Sequence, residues 1–323
     1  MIGWVLRRTA AAVALVVLGT IVLVVLVHLL PGDPLTAIIG DRAIDPAARD
    51  ALAARWGIGR PLPTVVADFL RNALHGDLGT SLAEQRPVAT ILRERLGPTI
   101  LLGGTTLLVN FTVGLFLGTW SALHPESRRA RAIGAISLAT YTIPAFVIGL
   151  GLVWLGAIAL PWFPAGGASD PLLDPEAGLV AVLLDRAHHL ALPLLTMVLA
   201  TIAVPIRQQR SAALETAHAA WVVAARARGV APRRVAWQHV WRPALSPVIT
   251  LLGLWLPMLV SGAVFVEAVF AWPGIGSLLA TATAQRDIPL VIGTGVVVIL
   301  LVQVGSLLAD ILQRLLDPVQ RTA

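Results

Sequence analysis

Six long apolar segments alternate with polar stretches along the chain. In an α-helix with a rise of about 1.5 Å per residue, roughly 20 apolar residues cross the roughly 30 Å hydrocarbon core of a bilayer. Segments of this length and composition predict an all-α integral membrane protein. The six predicted membrane helices are 9–30, 98–123, 132–160, 188–206, 244–270 and 288–312.

The first apolar segment is predicted to be an uncleaved anchor and not a secretory signal peptide. It is longer than the apolar region of a signal peptide, and no A-x-A cleavage site precedes Pro31. Arg7 and Arg8 stand in front of it, and arginines accumulate on the cytoplasmic side of membranes. We therefore expect the N-terminus in the cytoplasm.

The loops between the apolar segments set the remaining topology. Loop 125–131 carries three arginines, and the stretch 207–242 has seven arginines against one carboxylate, Glu215, so both are predicted to be cytoplasmic. The link 161–186 is net acidic and is predicted to be external. Segment 32–97 contains arginines, but loops of this length cross a membrane largely regardless of charge. It is therefore predicted as a large external loop after helix 1, with both termini cytoplasmic.

These boundaries divide the chain into four predicted parts. A last external link, 271–287, is expected to form a turn and a short helix. The parts are helix 1 at 1–31, an external subdomain at 32–97 with short helices at 64–74 and after Pro87, a five-helix core at 98–312 that contains the cytoplasmic loop 207–243, and a cytoplasmic tail at 313–323.

Composition narrows the function classes. Hydrophobic residues make up 57% of the chain and charged residues 13%, and the mean hydropathy is +0.81. The net charge of +6 does not indicate nucleic-acid binding, because the arginines lie in loops between apolar segments. The absence of cysteine excludes thiolate metal sites, and the absence of lysine excludes a P-loop and a Schiff base. We expect no cofactor on this chain, so any ATP would be bound by another subunit.

The polar stretch 207–242 predicts a helix, a tight turn and a second helix. Gly229 follows an alanine-rich segment that runs from Glu215 to Arg228, and Pro232 can begin the next helix. A short cytoplasmic helix of this kind can bind a cytoplasmic partner. The alternative is an amphipathic helix that lies on the lipid surface.

Several short motifs carry a resemblance to a known family. They are Pro31-Gly-Asp-Pro34, Gly76-Asp-Leu-Gly-Thr-Ser81, Ile143-Pro-Ala-Phe146, His189-Leu-Ala-Leu-Pro193, Val266–Gly276, Leu316-Asp-Pro318 and, most specific, Val223-Ala-Ala-Arg-Ala-Arg-Gly229. The chain resembles the transmembrane permease of bacterial ABC importers, in the dipeptide, oligopeptide and nickel branch, as the B-type permease. The last motif resembles the "EAA" loop of these permeases, with Val223 in place of the Glu of the general pattern and Arg242 in place of its closing Pro.

The resemblance implies a type I importer permease fold in the bacterial inner membrane, with no enzyme activity of its own. The EAA helix would be a coupling helix that docks on an ATPase. The implied partners are a second permease in a heterodimer, two cytoplasmic ATPases that bind ATP and Mg, and an external binding protein that delivers peptides; nickel or another small solute is the alternative cargo. The implied coupling residues are Ala219, Ala220, Trp221, Val223, Ala224, Ala225, Arg226, Arg228 and Gly229.

Other residues are weaker candidates. Asn110, Tyr141, Pro144 and Glu267 are candidates for the transport pathway, although Glu267 fits a capping role at the external turn equally well. Adjacent histidines cannot face one ion from a regular helix, so no metal site is predicted at His188 and His189. Gly103, Gly104, Gly114 and Gly118 predict close helix contact, consistent with a partner permease. A secondary transporter, the alternative class, predicts charges in mid-membrane and two related halves, and neither is evident.

Overall fold

The structure is a computed structural model, and it describes residues 2–29, 60–174, 176, 178–245, 248 and 263–316. The helices within these residues confirm the all-α prediction. They include four that are long and apolar enough to cross a membrane, or five if one bent pair counts as a single span. The helices are α1 (Ile2–His28), α2 (Leu62–Leu74), α3 (Val88–Leu123), α4 (Arg128–Thr142), α5 (Ala145–Val153), α6 (Leu179–Thr201), α7 (Ala203–Ala217), α8 (Ala220–Ala227), α9 (Pro232–Arg234), α10 (Ile275–Ala284) and α11 (Ile288–Leu316), with π-helices at Trp154–Ala159 and Val235–Trp241.

The chain forms two compact units. The first comprises 1–99 and 273–304, and the second comprises 100–272 and 305–323. In the first unit, Val24 and Val27 of α1 pack against Ile292 and Val296 of α11. This packing is close, because a Cβ on Gly295 would lie 2.4 Å from the side chain of Leu23.

A buried carboxylate fastens the external motif 76–81 to the start of α11. The Ser81 hydroxyl donates to Asp287 Oδ2 at 2.5 Å, and the backbone N–H of Ala83 donates to the same oxygen at 3.0 Å. Asp287 Oδ1 accepts from the N–H of Leu290 at 3.2 Å, so the carboxylate also caps α11. Ser81 and Asp287 are both buried. The segment after Gly76 is therefore held in place by a residue far along the chain.

Helix α3 differs from the prediction. A short external helix after Pro87 and a separate membrane helix from Pro98 were expected, but Val88–Leu123 is one helix with Pro98 inside it. The predicted boundary at 97/98 therefore falls within continuous helix. A proline removes a single backbone hydrogen bond, which long membrane helices tolerate.

The third predicted membrane helix is broken and not straight. The segment 132–160 contains two helical parts bent by 100° at Ile143–Pro144. Pro144 has no N–H to donate, and it favours the extended conformation seen at Ile143, where φ is −83° and ψ is 130°.

The fourth predicted helix, 188–206, is also shifted. α6 begins at Leu179, and a break at Ile202 separates it from α7. By contrast, α11 begins at the predicted residue, Ile288, and continues past 312 to Leu316.

Two of the predicted short helices, at 64–74 and within 271–287, are confirmed as helices. α2 covers the predicted 64–74, and Gly76 follows it with a φ of +80°. α10 lies within the predicted link 271–287. The predicted fifth membrane helix, 244–270, lies largely outside the described residues, as do 32–59 of the predicted external loop and most of the tail.

Candidate functional site

The polar stretch 207–242 folds as three successive helical segments of the second unit. The alanine-rich segment was predicted as one helix through 215–228, but α7 ends at Ala217 and α8 begins at Ala220. Between them Ala219 is extended, with φ −66° and ψ 145°. Alanine is the strongest helix former, so this break does not come from local propensity. It comes from packing, because α8 turns back against α7.

The turn after α8 is built as predicted. Gly229 has a φ of +76°, its N–H donates to the Arg226 carbonyl at 2.9 Å, and the N–H of Val230 donates to the Ala225 carbonyl at 3.2 Å. These two bonds form the Schellman motif that closes many helices. Pro232 then opens α9, also as predicted. Because nothing lies within 4 Å of a Cβ built on Gly229, the backbone conformation alone requires glycine there.

Helix α8 has one buried and one exposed face. Val222 and Ala225 are fully buried, and Val222 joins a cluster with Ala213 and Ala217 of α7. Trp221 and Val223, which flank Val222 on its two sides, are exposed by 57% and 55%. Among the other predicted coupling residues, Ala219 is half-buried, and Ala220, Ala224, Arg226, Arg228 and Gly229 are exposed.

Ala225 is therefore a correction to the predicted docking face. Its side chain is fully buried, three residues after Val222 on the same side of the helix. It holds α8 in place and is not available to a partner. Val222, which was not predicted, shares this anchoring role.

A second exposed tryptophan was missed from the sequence. Trp237, in the π-helix after α9, is 54% exposed, and its ring stacks edge-on with Trp241 at a centroid distance of 4.9 Å. Two tryptophans four residues apart beside a basic turn are the sequence signal that points to it. The exposed arginines around it are Arg226, Arg228, Arg233, Arg234 and Arg242, and none pairs with a carboxylate of the described residues.

The four predicted pathway residues have different surroundings. Asn110 is buried, and its Nδ2 donates to Thr201 Oγ1 at 2.7 Å. Glu267 is buried, and its backbone carbonyl accepts from the N–H of Trp272 at 2.8 Å. Tyr141 is 44% exposed, close before the bend at Pro144, which is also exposed. Two of the four are thus exposed in this conformation and two are buried.

The glycines of α3 make a contact that was assigned to the wrong partner. A Cβ on Gly114 would lie 3.0 Å from Pro205, and a Cβ on Gly118 would lie 2.6 Å from the Ile206 carbonyl. This pair therefore packs against α7 of the same chain and not against a second permease. Nothing lies within 4 Å of a Cβ on Gly103 or Gly104.

The two adjacent histidines bond to different parts of the chain. His188 Nε2 donates to the Trp162 carbonyl at 2.6 Å, whereas His189 Nδ1 lies 3.1 Å from Asp185 Oδ1. Their ring centroids are 6.4 Å apart. In the part of the chain that the structure describes, no three potential metal-ligating side chains come together.

Comparison with known proteins assigns the chain to a family. The model for the binding-protein-dependent transport system inner membrane component matches residues 114–322, which include α8 and Gly229. The chain belongs to this family. As a member it is a multi-pass permease component of the inner membrane and not an enzyme, as the sequence predicted.

Full-length relatives support the assignment. The chain is 34% identical over 319 residues to the oligopeptide transport system permease protein AppB of Bacillus subtilis, covering 98% of this chain and 99% of the relative. It is 34% identical over 330 residues to the di/tripeptide transport system permease protein DppB of Pseudomonas aeruginosa, covering 98% of each. It is also 34% identical over 328 residues to the probable D,D-dipeptide transport system permease protein DdpB of Escherichia coli, covering 97% of this chain and 96% of the relative.

Proposed function

We propose that this chain is one of two permease subunits of an ATP-driven peptide importer, and that α8 is its docking site for a cytoplasmic ATPase. The observation that carries the docking proposal is the pair of faces of α8. Val222 and Ala225 are buried against the rest of the permease, whereas Trp221 and Val223, which flank Val222, are exposed.

The energetic argument rests on Trp221. Burying the exposed part of a tryptophan side chain, on the order of 100 Å², contributes about 2–3 kcal/mol to binding. Trp237 can add a similar amount if the same partner covers it. The arginines around these aromatic side chains favour an acidic rim on the partner, which would speed encounter and set its orientation.

The choice of peptide as cargo is supported by the relatives, which are named as oligopeptide, di/tripeptide and D,D-dipeptide permeases. Nickel has no comparable support. An external binding protein would deliver the peptide, and the second permease would be a different chain. ATP and Mg would be bound by two ATPase subunits.

The proposed topology has six membrane helices, with both termini cytoplasmic and 32–97 outside. It is supported by the four apolar helices of membrane length, by the bent pair α4–α5, and by the apolar sequence of 244–270. In this arrangement α8 faces the cytoplasm, within the loop 207–243 of the core 98–312. The bend at Pro144, with Tyr141 beside it, is the proposed exposed part of the pathway, and Asn110 and Glu267 stay candidates for it in another conformation.

The docking site is tested by co-purification in mild detergent from the native membranes. The variant Trp221→Asp with Arg226→Asp should lose ATPase activity from the purified complex. A control variant, Trp162→Asp with Arg186→Asp, changes the same residue types at exposed positions of the predicted external link and should retain that activity. Wild-type protein that carries no ATPase, or an α8 variant that keeps it, would refute the docking proposal.

The cargo is tested separately in proteoliposomes that contain the complete importer and its binding protein. ATP-dependent uptake of labelled alanyl-alanine supports the peptide assignment. Uptake of nickel ions with no uptake of the dipeptide would overturn it.

A further inference from the structure

The break between α6 and α7 lies directly against the backbone of α3. α6 ends at Thr201, α7 begins at Ala203, and Pro205 stands in the first turn of α7. Because proline has no N–H, the Thr201 carbonyl cannot make its usual bond to the residue four positions later. Gly114 and Gly118 allow the first turns of α7 to approach α3 closely. The break therefore lacks one helical bond, while the N–H of Ile202 donates to the Val198 carbonyl at 2.8 Å and the N–H of Ile206 to the Ile202 carbonyl at 3.2 Å.

Two polar contacts join α3 to the two sides of the break: the first holds the last residue of α6, and the second holds α7. Asn110 Nδ2 donates to the Thr201 hydroxyl at 2.7 Å, and that hydroxyl donates to the Met197 carbonyl at 2.5 Å. Gln209 Nε2 donates to the Thr119 hydroxyl at 2.9 Å. Both amide side chains are fully buried.

Each of these amides has one group without a partner among the described residues. Asn110 Oδ1 and Gln209 Oε1 accept no hydrogen bond there, although both are shielded from solvent. A buried acceptor without a donor is unfavourable, so a rearrangement that brings a donor to it is favoured. Asn110 thus holds the end of α6, Gln209 holds α7, and each retains the capacity to form a further bond in another arrangement.

Movement at the break would reach α8 directly. Only His218 and Ala219 separate α7 from α8. Val222 of α8 lies in one buried cluster with Ala213 and Ala217 of α7, and this cluster also includes Ala122 of α3. We therefore treat α7 and α8 as one rigid body, called the lever below.

We propose that the segment Thr201–Pro205 is a hinge on which the lever turns. Asn110 is a positioning residue that fixes the first residue of the hinge, Gln209 is a positioning residue that fixes the lever, and both exchange hydrogen-bond partners in the other state. This inference rests on the proposed function, because a moving lever has a role only if an ATPase docks on α8. It gives Asn110 a role in coupling instead of in the pathway.

Spin labels test the hinge directly, because the natural chain contains no cysteine. The test pair is Leu195→Cys on α6 and Ser211→Cys on α7, which are exposed positions on the two sides of the break. A straight helix would separate them by roughly 24 Å. The control pair, Val180→Cys and Leu195→Cys, has a similar spacing within α6 alone. Distances are measured by electron paramagnetic resonance in the complete importer, with and without bound ATP.

We expect the test pair to change its distance distribution on ATP binding and the control pair to keep it. Identical distributions for the test pair in the two nucleotide states would overturn the hinge. Because neither labelled residue takes part in the polar contacts, this measurement does not depend on a variant of Asn110 that folds.

Substitutions test the positioning role. Asn110→Leu and Thr201→Val remove the polar contact while keeping side-chain volume, and Thr112→Val removes an exposed hydroxyl of α3 that bonds only within its own helix. The readout is ATP hydrolysed per alanyl-alanine taken up. This ratio should rise about two- to thirty-fold in the first two variants and stay unchanged in the third.

The outcomes separate the two proposals. Wild-type importer without ATP-dependent dipeptide uptake refutes the proposed function. Wild-type importer that couples normally, with Asn110→Leu and Thr201→Val equal to Thr112→Val, refutes the positioning role. If Asn110→Leu fails to assemble, Thr201→Val alone decides.

Discussion

The turn that ends α8 depends on a single backbone conformation, at Gly229. Its φ of +76° lies in the left-handed region, and nothing crowds the position where a Cβ would be. A substitution there is therefore opposed by backbone strain and not by a steric clash. The left-handed conformation costs a non-glycine residue roughly 1–2 kcal/mol, with β-branched residues at the upper end and Asn below it. We expect Gly229→Val to weaken the turn by about 2 kcal/mol, or roughly thirty-fold in its population.

Amide hydrogen exchange measures this effect at the two N–H groups that close the turn, those of residues 229 and 230. Exchange at both should rise by about the same factor in Gly229→Val and much less in Gly229→Asn, while peptide uptake falls and membrane insertion stays normal. Gly178→Val is the matched control, because Gly178 also has open space around its Cβ position but has an ordinary φ of −61°. Wild-type protection and uptake in Gly229→Val would refute the reasoning.

Three further predictions concern packing and docking. Asp287→Ala leaves the Ser81 hydroxyl and a backbone N–H without their acceptor, so we expect a loss of about 3 kcal/mol, seen as a lower midpoint of thermal unfolding in detergent. Gly118→Ala places a methyl group against the Ile206 carbonyl and should reduce thermal stability, whereas Gly104→Ala should not; equal midpoints would contradict the close contact. Trp237→Ala should weaken ATPase binding by about 1–2 kcal/mol in a titration without altering unfolding, and an unchanged affinity would exclude Trp237 from the docking surface.

The sequence predicted elements whose cause is local. The turn at Gly229 and the start of α9 at Pro232 follow from the conformational preferences of glycine and proline. The start of α11 at Ile288 follows from the onset of an apolar run. In each case the residues that determine the feature lie within a few positions of it.

Features that depend on distant residues were not predictable. Nothing in an alanine-rich segment indicates where α7 ends, because the break reflects burial of Val222 against α7. The same uniformity hid that Ala225 faces inward while Ala224 is exposed. The contact between Asn110 and Thr201 has no local signal in the sequence, because the two residues lie 91 positions apart. The bend at Pro144 had a visible signal, but the length of the apolar run favoured a single helix.

The contact between Ser81 and Asp287 also affects the order in which parts of the chain reach their final structure during synthesis. It joins residues 206 positions apart, and ribosomes add roughly 5–20 residues per second. Asp287 is therefore synthesised about 10–40 s after the motif 76–81 that its carboxylate fastens. During that interval the motif is held by its local bonds, such as that from the N–H of Val88 to the Gly79 carbonyl, and the bonds from Ser81 and Ala83 to Asp287 form last.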